Sequence, residues 1–314
     1  MHNYSRYEEK QKSWLVTTFK DTQGERRVRK SLALEILLAI FIAVNLCGCG
    51  ESVPKYLEFT YIEKEDCYSV SANKEKITDY TEIVIPEKYK GKPVKYIGES
   101  AFAKLEKITK ITMPDSIVQI GNGAFLQCSS LTEIRLSNSL INLPCSVFDS
   151  CTSLVEITLP AGLRSIDMCA FQNCASLRRI SIPDYVSTMG VAVFANCFSL
   201  EEIELPNNLS DIPIMAFSSC KKLSDVSIPE RVACVGYGAF DNCVSLTRIA
   251  IPAEVKSIYF DAFNGCVALR EITMCEDTVI IEWSDSNEEG WLESVTDQFV
   301  GIPENCQVTL LKEE

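Results

Sequence analysis

Residues 170–183 read A-F-Q-N-C-A-S-L-R-R-I-S-I-P, from Ala170 to Pro183. The pattern returns along the chain at a fixed step. Phenylalanine stands at 102, 125, 148, 171, 194, 217, 240 and 263, each 23 residues after the one before. Cysteine keeps the same step at 128, 151, 174, 197, 220, 243 and 266, and leucine at 131, 154, 177, 200, 223, 246 and 269. An Ile or Val follows three residues after each leucine, from Ile134 to Ile272. Proline closes the pattern at 114, 160, 183, 206, 229 and 252, with Ser137 and Cys275 in its place once each. The L-x-x-I-x-L segment reads as a short strand, with Ile134 and Leu136 on one side and Glu133 and Arg135 on the other. A single coil cannot bury its own Phe, Leu and Ile, whereas stacked coils bury a continuous column of each. Proline lacks an N–H and ends each strand's pairing.

A period of 23 falls within the range of leucine-rich repeats. The expected fold is a leucine-rich-repeat solenoid with a parallel β-sheet on its concave face and short strands or turns on its convex side. The Ile-x-x-Ile spacing, as in Ile117–Ile120, marks the convex strand. The chain divides into an export signal at 1–48, a tether and N-terminal cap at 49–80, repeats at 81–275, and a C-terminal cap at 276–314. That last segment holds an insertion within Ile280–Asp297 and a degenerate final repeat around Phe299. Pro86 lies 16 residues before Phe102, against 11 for the later prolines, so five extra residues are expected to loop out around Lys90-Gly91-Lys92-Pro93.

The A-F-x-x-C-x-S-L-x-x-I-x-L-P signature, carried by Ala170 through Pro183 and its copies, resembles the BspA-like family of leucine-rich-repeat proteins over roughly residues 80–275. The resemblance implies a surface-exposed or secreted protein, in a family where some members are similar to adhesins for matrix or host proteins. It implies a class of function and no particular ligand.

The N-terminal region points to export. Residues 26–30 are Arg-Arg-Val-Arg-Lys, and an apolar run follows from Ile36 to Leu46. A basic region, a short apolar stretch and small residues before the cut make a secretory signal. Leu46-Cys47-Gly48-Cys49 resembles a bacterial lipobox, with Leu46, Gly48 and Cys49 at its matching positions. The resemblance implies cleavage before Cys49, lipidation of its sulfur, and anchoring to the bacterial cell surface or outer membrane.

Composition narrows the function. Formal net charge is −13, and residues 49–314 carry 22 basic against 38 acidic side chains. Such a surface repels phosphate backbones, so nucleic acid is not an expected partner. The chain's single histidine is His2, which excludes histidine-based triads and histidine metal sites from residues 49–314. The in-register cysteines read as a column of small core residues, since a column sets thiols in a line where zinc requires a tetrahedron. The off-register cysteines at 67, 145, 169, 234, 275 and 306 leave room for a disulfide without naming the pair. No cofactor, metal or catalytic residue is expected.

The remaining candidates are the outward strand positions. Arg178, Arg179, Glu201, Glu202, Glu204, Asp225 and Arg248 set a basic pair beside acidic groups on a face without aromatic residues, which suits a charged protein surface, from host or bacterium. Trp283 and Trp291, in the C-terminal insertion, form a candidate contact loop or the cover of the last coil. Two other functions stay open: a structural or decoy surface protein without a specific ligand, and a carboxylate-based hydrolase.

Overall fold

The computed structural model describes residues 54–259, 261–281, 303 and 305–311. All belong to the compact unit Val53–Glu314. The export signal with Cys49, the tryptophans Trp283 and Trp291, and Phe299 lie outside the described residues.

The described chain is a solenoid of about nine turns with a ~23-residue period. Its path is a succession of turns whose positions the repeated residues fix. The proline carbonyls at 114, 160, 183, 206, 229 and 252 each accept the N–H three residues on, at 2.9–3.2 Å. Ser137 and Cys275 keep that turn in the coils that lack proline, accepting from Leu140 and Thr278. Ser137 is fully buried, and its hydroxyl donates to the Ile117 carbonyl at 2.6 Å. A second turn runs from the Phe carbonyls at 125, 148, 171, 194, 217, 240 and 263 to the N–H of the cysteine three residues later. The residue before that cysteine is left-handed in every coil: Gln127, Ser150, Asn173, Asn196, Ser219, Asn242 and Gly265 have φ between 55° and 70°. Asn and Gly tolerate that region best, and the Asn side chains are used again between coils. Asn196 donates to Asn173 and Asn173 to Asp149, both at 3.0 Å.

Stacking produces the core. The eight phenylalanines are fully buried and form one ladder, with ring centroids 5.3–5.8 Å apart and neighbouring planes within 24°. Beside it run the seven cysteines, all at 0% exposure. Each thiol donates to the carbonyl of the phenylalanine in the coil before, from Cys128 to Phe102 through Cys266 to Phe240, at 3.1–3.3 Å. Cysteine therefore combines a small apolar body with an inter-coil hydrogen bond, which alanine cannot make. The coils approach so closely that a Cβ on Gly190 would stand 2.2 Å from the Met168 nitrogen.

The strands form two sets of parallel ladders. On the face built from L-x-x-I-x-L, segments Glu82–Val84, Lys110–Thr112 and Glu133–Arg135 pair in series, as do Arg179–Ser181 with Glu202–Glu204, and Arg248–Ala250 with Glu271–Cys275 and Gln307–Leu311. The coils at 155–158 and 224–227 carry the same sequence pattern but join no ladder. On the opposite side, Asn142–Leu143, Ser165–Ile166 and Thr188–Met189 form one ladder. Asp211–Ile212, Cys234–Val235, Ser257–Tyr259 and Val279–Ile281 form another. The two sets are staggered. Where the face ladder is interrupted, the opposite ladder runs on, and where the opposite ladder stops between Met189 and Asp211, the face pairs Ile180 with Ile203.

The N-terminal end is closed by antiparallel pairing. Strand β1 (Leu57–Ile62) and β2 (Cys67–Ala72) form a hairpin whose Leu57, Val70 and Ala72 cover the first coils. β2 then pairs in parallel with a later strand, Lys92–Ile97. The extra residues before Phe102 do not form the loop expected from the sequence. With Glu82–Val84 as β3, they make a second hairpin, β4 (Lys88–Tyr89) with β5 (Lys92–Ile97). The physical reason is the Lys90-Gly91 turn, where both residues have positive φ, 48° and 77°; such a turn matches the twist of the strands it joins.

Candidate ligand-binding face

Strand alternation positions the candidate residues. In Arg179-Ile180-Ser181 and Glu202-Ile203-Glu204, the central isoleucine faces the core and the flanking side chains face out, in register across the coils: Arg179 beside Glu202, Ser181 beside Glu204. Arg178, Arg179, Glu201, Glu202, Glu204, Asp225 and Arg248 are all exposed. The structure brings five of these seven together. Arg179, Glu201, Glu202, Glu204 and Asp225 line a depression of about 550 Å³, floored by Ile180, Ile203 and Val226. Asp225 also borders a second depression, of about 490 Å³, which it shares with Arg248, Glu230, Glu271, Thr273 and Leu311. Arg178 lines neither.

Ion pairs across the coils neutralise part of this face. Lys222 reaches Glu201 at 2.9 Å, and Arg248 reaches Asp225 at 3.5 Å. Exposed pairs of this kind contribute at most about 1 kcal/mol each. Lys222, with Arg178 and Arg179 behind it, holds the Glu201 carboxyl below its ordinary range. No ion pair joins Glu202, Glu204 or Arg179 to another described residue, so the first depression presents two uncompensated carboxylates beside one guanidinium. Among the described residues no group of three His, Cys, Asp or Glu side chains is arranged to hold a metal ion. The lining contains no aromatic ring.

Three contributors escaped the sequence reading. Lys222 neutralises Glu201 from the turn of the next coil, Glu230 enters from beyond a proline, and Leu311 arrives from the last strand. Their positions in the repeat gave Glu230 and Lys222 no outward-strand signal. The first depression also lies where the face ladder stops at residues 224–227, a break that leaves no mark in the sequence.

In-register parallel strands, a buried Phe ladder and a 23-residue coil define a leucine-rich-repeat solenoid. The chain belongs to the BspA-type leucine-rich repeat family, whose model matches residues 75–199 and 187–296 with six copies. No curated protein matches it in sequence. Among solved structures it is similar to a leucine-rich repeat protein from Bacteroides ovatus, with 21% identity over 84% of this chain and 79% of that one, and a TM-score of 0.59. It also matches a leucine-rich repeat protein from Eubacterium ventriosum (15% identity, 78% and 98% coverage, TM-score 0.49). A third match is a leucine rich cell surface protein from Faecalibacterium prausnitzii (18% identity, 72% and 95% coverage, TM-score 0.39).

Proposed function

We propose that this protein is held at the bacterial cell surface by a lipid on Cys49 and binds another protein through the strand face around Glu202, Glu204 and Asp225. Membership in a family typical of bacterial surface proteins supports the location, and the signal-like segment ending at Cys49 supports the anchor. The observation that carries the binding reading is the depression of about 550 Å³ whose outward carboxylates Glu202 and Glu204 have no ion-pair partner among the described residues. These side chains have no folding duty, while the residues beneath them hold the coils together. An acidic, open, ring-free hollow fits lysine or arginine side chains projecting from a folded partner better than it fits a sugar or a flat apolar ligand. No catalytic residue is assigned.

The experiment uses the full chain as bait against host and bacterial surface extracts, followed by affinity measurement with each partner identified. The Glu202→Lys, Glu204→Lys double variant is expected to bind at least about tenfold more weakly, the scale of losing ~1.4 kcal/mol of charge complementarity. Wild-type binding weakens as salt rises. The double variant's melting temperature stays that of the wild type, because exposed substitutions cost under ~0.5 kcal/mol. The comparison is a Trp283→Ala, Trp291→Ala variant. If the face variant binds normally while the tryptophan variant stays folded and loses binding, the site moves to the C-terminal insertion. If no partner is captured reproducibly, the binding reading falls.

A further inference from the structure

Seven thiols are accounted for by the core column, and Cys67 and Cys275 are buried as well. Four of the described thiols are only partly buried: Cys145, Cys169, Cys234 and Cys306. Cys234 lies in the ladder opposite the face, between Asp211 and Ser257. Cys306 sits at the entry to the last face strand. Neither has a partly buried thiol on an adjoining coil.

Cys145 and Cys169 do. The Ser146 N–H donates to the Met168 carbonyl at 2.9 Å, which lays the 145–146 peptide directly over the 168–169 peptide. Both coils are pinned on their outer sides too: Gly123 donates to the Cys145 carbonyl and Cys169 to the Val191 carbonyl, each at 2.9 Å. A separation of ~4.8 Å between hydrogen-bonded chains and a 3.8 Å step along one of them place the two Cα atoms about 6 Å apart on the diagonal. Disulfides span Cα distances of roughly 4.4–6.8 Å. The Cys169 thiol is pushed up first by burial, then by Asp149, and then by Cys145, so the two sulfurs also sense one another.

We propose that Cys145 and Cys169 are a disulfide-forming pair that staples two neighbouring coils when the protein meets an oxidising exterior. Two thiols are oxidised and a small-molecule disulfide is reduced. A thiolate, written here as that of Cys145, attacks the disulfide to give a mixed disulfide and release one thiol. The Cys169 sulfur then attacks the Cys145 sulfur, the protein S–S bond forms, and the second thiol departs; the two protein thiol protons end on the two released thiols. The staple has a specific target. It encloses Ser146–Met168, the coil whose face segment at 155–158 joins no strand ladder, so it adds a covalent tie to a coil that the face ladder does not hold.

The test is made on the full chain purified under reducing conditions, with glutathione disulfide as the oxidant, and needs neither lipidation nor a binding partner. After oxidation the free thiols are alkylated and the protein is digested without reduction. Trypsin cuts at Arg164 and places the two cysteines on separate peptides, and fragmentation assigns the sulfur involved. The expected result is a Cys145–Cys169 link, with both positions losing alkylation, while Cys234 and Cys306 stay alkylatable or carry single glutathiones. In the Cys145→Ser variant, Cys169 is expected to hold glutathione instead. If wild-type Cys145 and Cys169 each carry their own glutathione, remain free thiols, or link to other cysteines, the proposal is overturned.

Discussion

Raising the pH strikes directly at the cysteine column. An ordinary thiol titrates near 9.0, but burial pushes Cys128 up to about 11 and Cys266 to about 12, and Cys151, Cys174, Cys197, Cys220 and Cys243 well above the ordinary value. Between pH 9 and 11 the unfolded chain therefore binds fewer protons than the folded one. Stability is whole below pH 9 and is lost as pH rises towards the folded values. At pH 9.5 each thiol costs about 0.8 kcal/mol, and seven in register about 6 kcal/mol, comparable with the entire stability of an ordinary domain. Urea unfolding followed by circular dichroism from pH 7.5 to 9.5, under reducing conditions, is expected to show a midpoint falling steeply at the alkaline end. Lysines and tyrosines also begin to titrate there, so the decisive comparison is the Cys174→Ala, Cys197→Ala, Cys220→Ala variant. It starts from lower stability, but its slope at pH 9.5 is expected to be shallower by about two protons. Equal slopes in the two proteins would refute the reasoning, because the buried thiols would then not be what the alkaline pH attacks.

Two further outcomes follow from the ladder and the anchor. Phe194 stacks on Phe171 at 5.3 Å and Phe217 at 5.8 Å, whereas Phe102 has one ring neighbour in the ladder, Phe125. Phe194→Ala is expected to cost about 3–5 kcal/mol, and Phe102→Ala about 1 kcal/mol less for the missing ring pair; equal urea midpoints for the two would show that stacking adds nothing beyond burial. Changing Cys49 to Ala is expected to abolish labelling by a fatty-acid analogue and release the protein from membranes, and a labelled, membrane-bound Cys49→Ala protein would remove the anchor from the reading.

The core was legible because identical residues recur at an unvarying step. Phe171, Cys174, Leu177 and Ile180 can be assigned to columns without coordinates, and strand alternation alone exposes Arg179 and Glu202. Other features depended on geometry finer than residue type. The thiol hydrogen bonds were invisible because cysteine serves equally well as a plain apolar filler; only the placement of the Phe148 carbonyl beside Cys174 shows the bond. The Lys90-Gly91 hairpin carried a signal, a glycine at the second turn position, that a count of surplus residues obscured. The interruption at 224–227 carried none, since Ser224-Asp225-Val226-Ser227 alternates as faithfully as the paired segments.

The staggered ladders give the array the bond pattern of brickwork, in which no seam runs through two courses. A pull along the axis meets at least one intact row of strand hydrogen bonds at every junction between described coils, so no junction is a ready fracture plane. Bending meets a different response. Around 224–227 only the ladder through Asp211–Ile212, Cys234–Val235 and Ser257–Tyr259 is continuous, so a bend about that line would widen or narrow the opposite side without breaking a strand-ladder bond. The acidic hollow lies on the side such a bend would open or close. An array pulled along its axis would thus keep its length while the hollow adjusts its width to whatever side chain enters.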